Sequence, residues 1–197
     1  MLLGLQLGGI LWLGVVPFVI LHYSFYDIVI GQQPPTIIQL CSLFLLLLAA
    51  ITIALTEGEK MNSDISSQQK IQVSKKFISR YFVLRTTFLF CYELFFRGCL
   101  LKDSLHETGV VSSIAINTSL YSLLHILNGR KEIAGCIVFG IVLCSVCIWF
   151  GAAWPAMLIH MVFTIVYEGK VVKKKSNSIN KIQHENISHR RLWLHRK

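Results

Sequence analysis

The sequence predicts an all-α protein, a polytopic bundle of about six transmembrane helices. Three observations lead to this prediction. Hydrophobic residues make up 54% of the 197 residues and charged residues only 15%, and the mean hydropathy is +0.60, as in an integral membrane protein. The apolar residues fall in segments close to the roughly 20 residues that cross a bilayer as a helix. Runs such as LFLLLLAAITIAL lack the alternation of a β-barrel strand.

Polar or turn-forming residues separate the predicted spans. Pro34-Pro35 punctuates the first connection, the polar stretch 57–76 forms the second, and Asn128-Gly129 begins the fourth. The first segment has no basic region in front of it and is too long for the core of a signal peptide, so we expect a retained span. The apolar segments run at about 2–24, 36–56, 80–103, 110–127, 133–151 and 154–168.

Basic residues set the expected orientation in the membrane. They concentrate after the last segment, from Lys170 to Lys197, and in the loops after the second and fourth segments, and such residues favour the cytoplasmic side. We therefore expect a bacterial plasma-membrane protein with both termini in the cytoplasm, a single domain over 1–168 and a disordered basic tail over 169–197. The net charge of +9 then reflects topology and a tail that can lie on anionic lipid. Nucleic-acid binding is not expected, because the tail is short and tethered.

Ionisable side chains lie inside three of the apolar segments: Glu93 with Arg97, then His125, then His160. Such groups are costly in lipid and mark functional sites more often than not. Glu93 and Arg97 stand four residues apart on one helical face and can pair. The structural alternative is a neutralising buried salt bridge, with each histidine a hydrogen-bonded core residue. Helical rise places all of them at similar depths toward the outer half of the bilayer. Together they predict a site for water activation and hydrolysis.

In order and spacing these residues resemble the CPBP family of intramembrane endopeptidases, named for CAAX proteases and bacteriocin-processing enzymes. YELFFRG supplies Glu93 and Arg97 of the family motif E-E-x-x-x-R, YSLLH approximates F-x-x-x-H with His125, and WPAMLIHMVFT supplies His160 of H-x-x-x-N. The motif-bearing part runs over about 82–167. The resemblance implies a helical membrane bundle.

The resemblance also implies an activity: hydrolysis of a peptide bond near the C-terminus of a lipidated or single-span membrane protein. The resemblance implies that Glu93 and His125 activate the water and that His160 donates a hydrogen bond to the oxyanion. Two positions depart from the motifs, since Tyr92 replaces the first glutamate and Thr164 the final asparagine. The Thr164 hydroxyl can still donate a hydrogen bond, but a phenol is a poor general base at neutral pH. The alternative is an inactive pseudoprotease that serves as a binding, immunity or accessory protein.

Two further alternatives concern the chemistry of the buried charges. Glu93, His125 and His160 could instead hold a zinc ion with an open position for water, whereas the glutamate-dependent mechanism needs no cofactor. A small transporter or channel subunit could use the charges as a proton path, but this does not explain the order of the motifs. The expected partners are a membrane-anchored protein substrate and the lipid bilayer.

Overall fold

A computed structural model describes residues 2–21, 24–60, 75–126 and 129–194. Over these ranges the chain is helical and has no strand, which confirms the all-α prediction. Two π-helical segments, in which the backbone bonds i to i+5, interrupt the first and third helical regions at Leu11–Val15 and Leu94–Leu100. The α-helices are α1 Leu2–Ile10, α2 Val16–Leu21, α3 Phe25–Val29, α4 Ile37–Lys60, α5 Lys75–Glu93, α6 Leu101–Thr108, α7 Val110–Leu123, α8 Arg130–Phe150 and α9 Trp154–Leu194.

Three of the described helices are long and apolar enough to cross a bilayer: Ile37–Lys60, Arg130–Phe150 and Trp154–Lys174. Shorter apolar helices lie at Gln6–Val15 and Val110–Leu123. The number of six spans therefore stays a prediction. Large apolar side chains point outward from several helices, as expected of a bundle whose outer face meets lipid.

Some helix ends differ from the expected segments. The fourth segment was expected to reach residue 127, but α7 ends at Leu123, so His125 lies in the turn beyond the helix. The sequence predicts a separate tail from residue 169, whereas α9 continues to Leu194. The short helix α3 lies within the first connection, where no helix was expected. Most of the predicted connection 57–76 and Asn128 lie outside the described residues.

One end of the bundle, here called the loop end, consists of residues 24–36, 109 and 151–153. Gly151 adopts a left-handed conformation with φ of 63° and ends α8, so the chain can reverse into α9 without a Cβ penalty. The amide of Ala153 donates to the carbonyl of Ile28 at 3.1 Å. The side chain of Gln39, at the start of α4, donates to the carbonyl of Trp149 at 2.7 Å. These bonds fix the first connection against the turn between α8 and α9.

The opposite end, here called the basic end, is held by ion pairs of Glu59, Arg85, Glu168 and Lys170. Arg85 Nε lies 2.9 Å from Glu168 Oε1, which joins α5 to α9, and Lys170 Nζ lies 2.7 Å from Glu59 Oε1, which joins α9 to α4. Because α5 and α9 run antiparallel, the register that pairs Arg85 with Glu168 also brings residues nearer the middle of the two helices together.

Candidate active site

The register of α5 and α9 places Glu93 against His160. Glu93 is the last residue of α5 and His160 lies in the second turn of α9. Glu93 Oε1 is 2.6 Å from His160 Nδ1, Glu93 is completely buried, and the His160 residue is 8% exposed. Six residues of rise, about 9 Å, separate His160 from Trp154, and about 12 Å separates it from Glu168. The contact thus lies near mid-depth, slightly nearer the loop end.

Arg97 lies beside this pair, in the π-helical segment that follows α5. Its Nε is 3.4 Å from Glu93 Oε2, with both side chains completely buried. This is an ion pair without a hydrogen bond, and none of the three guanidinium nitrogens has a hydrogen-bond partner among the described residues. The guanidinium carbon lies 4.6 Å from the centre of the Tyr121 ring and 5.9 Å from that of Phe96. The cation is therefore held by one carboxylate and two aromatic faces.

The π-helical segment has a side-chain anchor that the sequence analysis missed. The carbonyl of Phe96 accepts from the amide of Leu101, five residues later, and also from the Nδ2 of Asn117 on α7. Asn117 is completely buried, and its Oδ1 accepts from the thiol of Cys144 on α8 at 3.3 Å. Asn117 thus links three helical segments at the backbone that carries Arg97.

His125 is near the Glu93–His160 pair but does not contact it. Its Nδ1 lies 3.1 Å from the carbonyl of Tyr121, which fixes the imidazole over the end of α7. The rings of His125 and Tyr121 have centres 4.9 Å apart, and those of Tyr121 and His160 have centres 6.1 Å apart. The Tyr121 ring therefore lies next to both imidazoles and under the guanidinium of Arg97.

Of the two positions that depart from the family motifs, Tyr92 lies at this site and Thr164 lies one helical turn from it. Tyr92 stacks on Phe96 with ring centres 4.5 Å apart and lies beside Arg97, with which it interacts electrostatically. Its hydroxyl is buried and has no hydrogen-bond partner within the described part of the chain. Thr164 is partly buried and lies one helical turn beyond His160, toward the basic end.

The mutual placement of Glu93, His125 and His160 bears on the zinc alternative. Within the described ranges, no three His, Cys, Asp or Glu side chains come together as a metal-binding group. Glu93 Oε1 is already engaged by His160 Nδ1, and His125 bonds a backbone carbonyl instead of joining them. This arrangement does not fit a zinc site of Glu93, His125 and His160.

What the site can do follows from the hydrogen bond between Glu93 and His160. The guanidinium of Arg97 beside Glu93 favours a carboxylate there, and a carboxylate accepts a hydrogen bond. In the tautomer that fits this contact, His160 Nδ1 carries the proton and Nε2 is left to accept one. The His160 side chain keeps 10% of its surface exposed. The arrangement is thus a buried carboxylate that orients an imidazole base, a pairing used in hydrolases.

Comparison with known protein families gives one match. Residues 75–166 match the family described as type II CAAX prenyl endopeptidase Rce1-like. The matched stretch contains all of Glu93, Arg97, His125 and His160. No curated protein and no solved structure matches the chain.

Proposed function

Through residues 75–166 the chain belongs to the Rce1-like family of type II CAAX prenyl endopeptidases, and on this premise we propose that it is an intramembrane endopeptidase. Its substrate is a membrane-tethered protein, lipidated or single-span, that is cut near its C-terminus. The observation that carries the proposal is the 2.6 Å contact between Glu93 Oε1 and His160 Nδ1 in a buried site that also holds Arg97. Ionisable groups are rarely retained at such depth without a chemical use.

In the proposed mechanism His160 is the general base and Glu93 orients it. Nε2 of His160 takes a proton from a water molecule, and the resulting hydroxide forms a bond to the carbonyl carbon of the scissile peptide. The imidazolium that forms is stabilised by the Glu93 carboxylate on Nδ1. As the tetrahedral intermediate collapses, the C–N bond breaks and the proton passes from His160 to the departing amine. Atoms and charge balance without a cofactor.

This assignment exchanges roles that the family resemblance implied. There, Glu93 and His125 activated the water and His160 stabilised the oxyanion. The contact with Glu93 favours His160 as the base instead, because its Nδ1 proton is committed to the carboxylate. The Thr164 hydroxyl, one turn away, is then the proposed oxyanion donor. His125, whose ring centre lies 4.9 Å from that of Tyr121, is proposed to hold the water.

The protein is an integral membrane protein, and its finer placement is part of the proposal. We place it in a bacterial plasma membrane with both termini in the cytoplasm, because Lys and Arg concentrate in the C-terminal part and in alternate loops. The loop end then faces outward and the basic end meets the cytoplasmic headgroups. The partners are the tethered protein substrate and the surrounding lipid.

A second candidate function is supported by Tyr92. A buried phenol without a hydrogen-bond partner in the described residues stands where the motif has a carboxylate, and a phenol does not serve as a base at neutral pH. On this reading the chain is a pseudoprotease that binds a membrane-tethered peptide without cutting it, as an immunity or accessory protein does.

Cleavage of two kinds of reporter separates these candidates. Prenylated and single-span reporter peptides are incubated with the purified full chain, with Glu93→Gln and with Tyr92→Glu. Cleavage by the native protein that is lost in Glu93→Gln supports the protease. If the native protein is inert but binds the reporters, and Tyr92→Glu cleaves them, the pseudoprotease is supported and the His160 mechanism is wrong. Which of the two reporters is cut shows whether the substrate is tethered by a prenyl group or by a single membrane span.

A further inference from the structure

The π-helical segment Leu94–Leu100 continues the helix on both sides without a break. Glu93 before it and Leu101 after it both have α-helical dihedral angles. The amide of Leu101 donates to the carbonyl of Phe96, five residues back, where an α-helix would use the carbonyl of Arg97. A π turn holds one residue more than an α turn, so a return to α-helical bonding would rotate the two flanking helices by about 100° relative to each other. The register of this segment therefore sets the direction of Arg97 relative to Glu93.

Asn117 on α7 favours the π-helical register, because the position of the carbonyl that it binds depends on that register. Its Nδ2 donates to the carbonyl of Phe96, and the same oxygen accepts from the amide of Leu101. Asn117 is completely buried, so a rotation of the segment would remove its acceptor where no water can replace it. Leaving a buried donor unpaired is costly. The side-chain bond therefore stabilises the π-helical register over the α-helical one.

A second side chain fixes which way the Asn117 amide faces. The thiol of Cys144 on α8 donates to Asn117 Oδ1 at 3.3 Å, and Cys144 is also completely buried. With the amide turned over, Oδ1 would face the carbonyl oxygen of Phe96, and two acceptors would meet without a hydrogen between them. The thiol donor on one side and the carbonyl acceptor on the other therefore select the same orientation of the amide.

The same face of α7 contacts the side chain whose direction the register sets. Tyr121 follows Asn117 by four residues, so both lie on one face of the helix. The centre of the Tyr121 ring lies 4.6 Å from the guanidinium carbon of Arg97, and Arg97 Nε lies 3.4 Å from Glu93 Oε2. Thus α7 holds the backbone of the segment through Asn117 and its cation through Tyr121. Short π-helical turns occur frequently at functional sites.

We propose that Asn117 is a positioning residue of the site: oriented by Cys144, it holds residues 94–100 in the π-helical register and so directs Arg97 toward Glu93. This rests on the proposed function, because the reaction that it supports is the proposed hydrolysis. Asn117 acts through the carbonyl of Phe96 and is not one of the reacting groups. It therefore governs the rate of the chemical step and not the binding of substrate, since a misplacement of about 1 Å in a site can lower a rate by about 10²-fold.

The hydrogen bond can be followed by NMR without turnover. Phe96-Arg97 is the one Phe-Arg step in the sequence, so carbonyl-¹³C phenylalanine with ¹⁵N arginine gives a single carbonyl–amide correlation from the full chain in lipid nanodiscs. Asn117→Leu keeps a side chain of similar size and removes the donor. We expect the Phe96 carbonyl resonance to move to higher field in this variant, because a carbonyl that loses a hydrogen bond is less deshielded. The control Cys147→Ala removes another buried thiol of α8 and leaves the resonance unchanged.

Reporter cleavage by the same preparations tests the positioning role. Asn117→Leu should lower kcat per folded molecule by about 10- to 100-fold, with KM within about threefold of the native value. Cys144→Ala frees the Asn117 amide to turn and should lower kcat by about three- to tenfold. Cys144→Ser restores a donor to Oδ1 and should recover most of that loss. Cys147→Ala should keep the native kcat.

A Phe96 resonance that does not move in Asn117→Leu overturns the proposal, whether or not the protein cuts reporters. A resonance that moves while kcat per folded molecule stays native also overturns it, because Asn117 is then only structural. If Asn117→Leu does not fold, the second pair of variants decides, and equal kcat in Cys144→Ala and Cys144→Ser overturns the proposal. If the native protein cuts no reporter but the resonance moves in Asn117→Leu and not in Cys147→Ala, control of the register is supported and the proposed protease fails. The two failures are therefore distinguishable.

Discussion

Replacing Glu93 by glutamine tests the site most directly, because this one carboxylate contacts both His160 and Arg97. Oε1 orients His160 at 2.6 Å and Oε2 balances Arg97 at 3.4 Å. With an amide, the group facing Nδ1 can donate instead of accept, which allows the wrong imidazole tautomer. Loss of the orienting carboxylate in a hydrolytic triad lowers kcat by roughly 10⁴-fold. We expect Glu93→Gln to lose roughly 10³- to 10⁴-fold in kcat with little change in KM.

The same substitution has a separate cost in stability. Glu93 and Arg97 are both completely buried as side chains, and removing one partner of a buried ion pair costs about 3–5 kcal/mol because the other charge is left unbalanced. The double variant Glu93→Gln/Arg97→Gln removes that charge as well. It should therefore regain much of the free energy of unfolding while it stays inactive. Comparing Glu93→Gln with the double variant therefore separates the effect on the free energy of unfolding from the effect on catalysis.

The assay combines reporter cleavage, at a temperature where every variant is folded, with denaturant unfolding of the same preparations. The matched control is Glu107→Gln, whose carboxylate is 75% exposed and pairs with the exposed His106 at 3.0 Å. This control should change the unfolding free energy by less than about 0.5 kcal/mol. If Glu93→Gln keeps its kcat within about fivefold of the native protein, the orienting role of Glu93 is refuted.

The remaining predictions concern the residues that position the site. Asn117→Ala removes the side-chain hydrogen bond to the carbonyl of Phe96 and leaves the thiol of Cys144 without its acceptor, so it should cost about 1–3 kcal/mol in denaturant unfolding, and an unchanged midpoint would contradict the anchoring role. Arg85→Glu and Glu168→Arg should each cost about 0.5–1 kcal/mol, because the pair is partly exposed. The double charge swap should recover most of that loss in the same unfolding measurement. A double variant no more stable than the single ones would contradict the pairing.

The long apolar helices could be predicted from the sequence, but the short helix α3 and some of the helix ends could not. Apolar segments of suitable length identify helices directly, yet an apolar run does not say where its last turn stops. α7 therefore ends at Leu123 although the apolar residues continue beyond it. In α9 the helix instead continues past the apolar residues to Leu194, because Lys, Arg, Glu and Gln are good helix formers. The polarity of these residues indicates where the membrane span ends, but it does not indicate where the helix ends.

The site residues could be predicted from motif spacing, whereas their contacts depend on tertiary register. The spacing of Glu93 and Arg97 along one helix identified the ion pair. The contact of Glu93 with His160 depends on how α5 lies against α9, which the Arg85–Glu168 pair and the loop-end bonds determine. The π-helical segment has no recognisable sequence signal of its own.

Asn117 did have a signal that the sequence analysis did not use. Asn117, Tyr121 and His125 recur at intervals of four residues, so they follow one face of a helix. A polar amide on that face of an apolar segment indicates a partner inside the bundle. The structure supplies that partner as the carbonyl of Phe96, within the segment that carries Arg97.

The replacement of the first motif glutamate by Tyr92 bears on both candidate functions of this site. With one carboxylate and one guanidinium, the charges of Glu93 and Arg97 cancel within the buried centre. Tyr92→Glu adds a second carboxylate next to this pair, and a carboxylate can act as a base where a phenol does not at neutral pH. A pseudoprotease should therefore gain reporter cleavage in Tyr92→Glu, whereas a protease whose base is His160 cleaves reporters without the substitution.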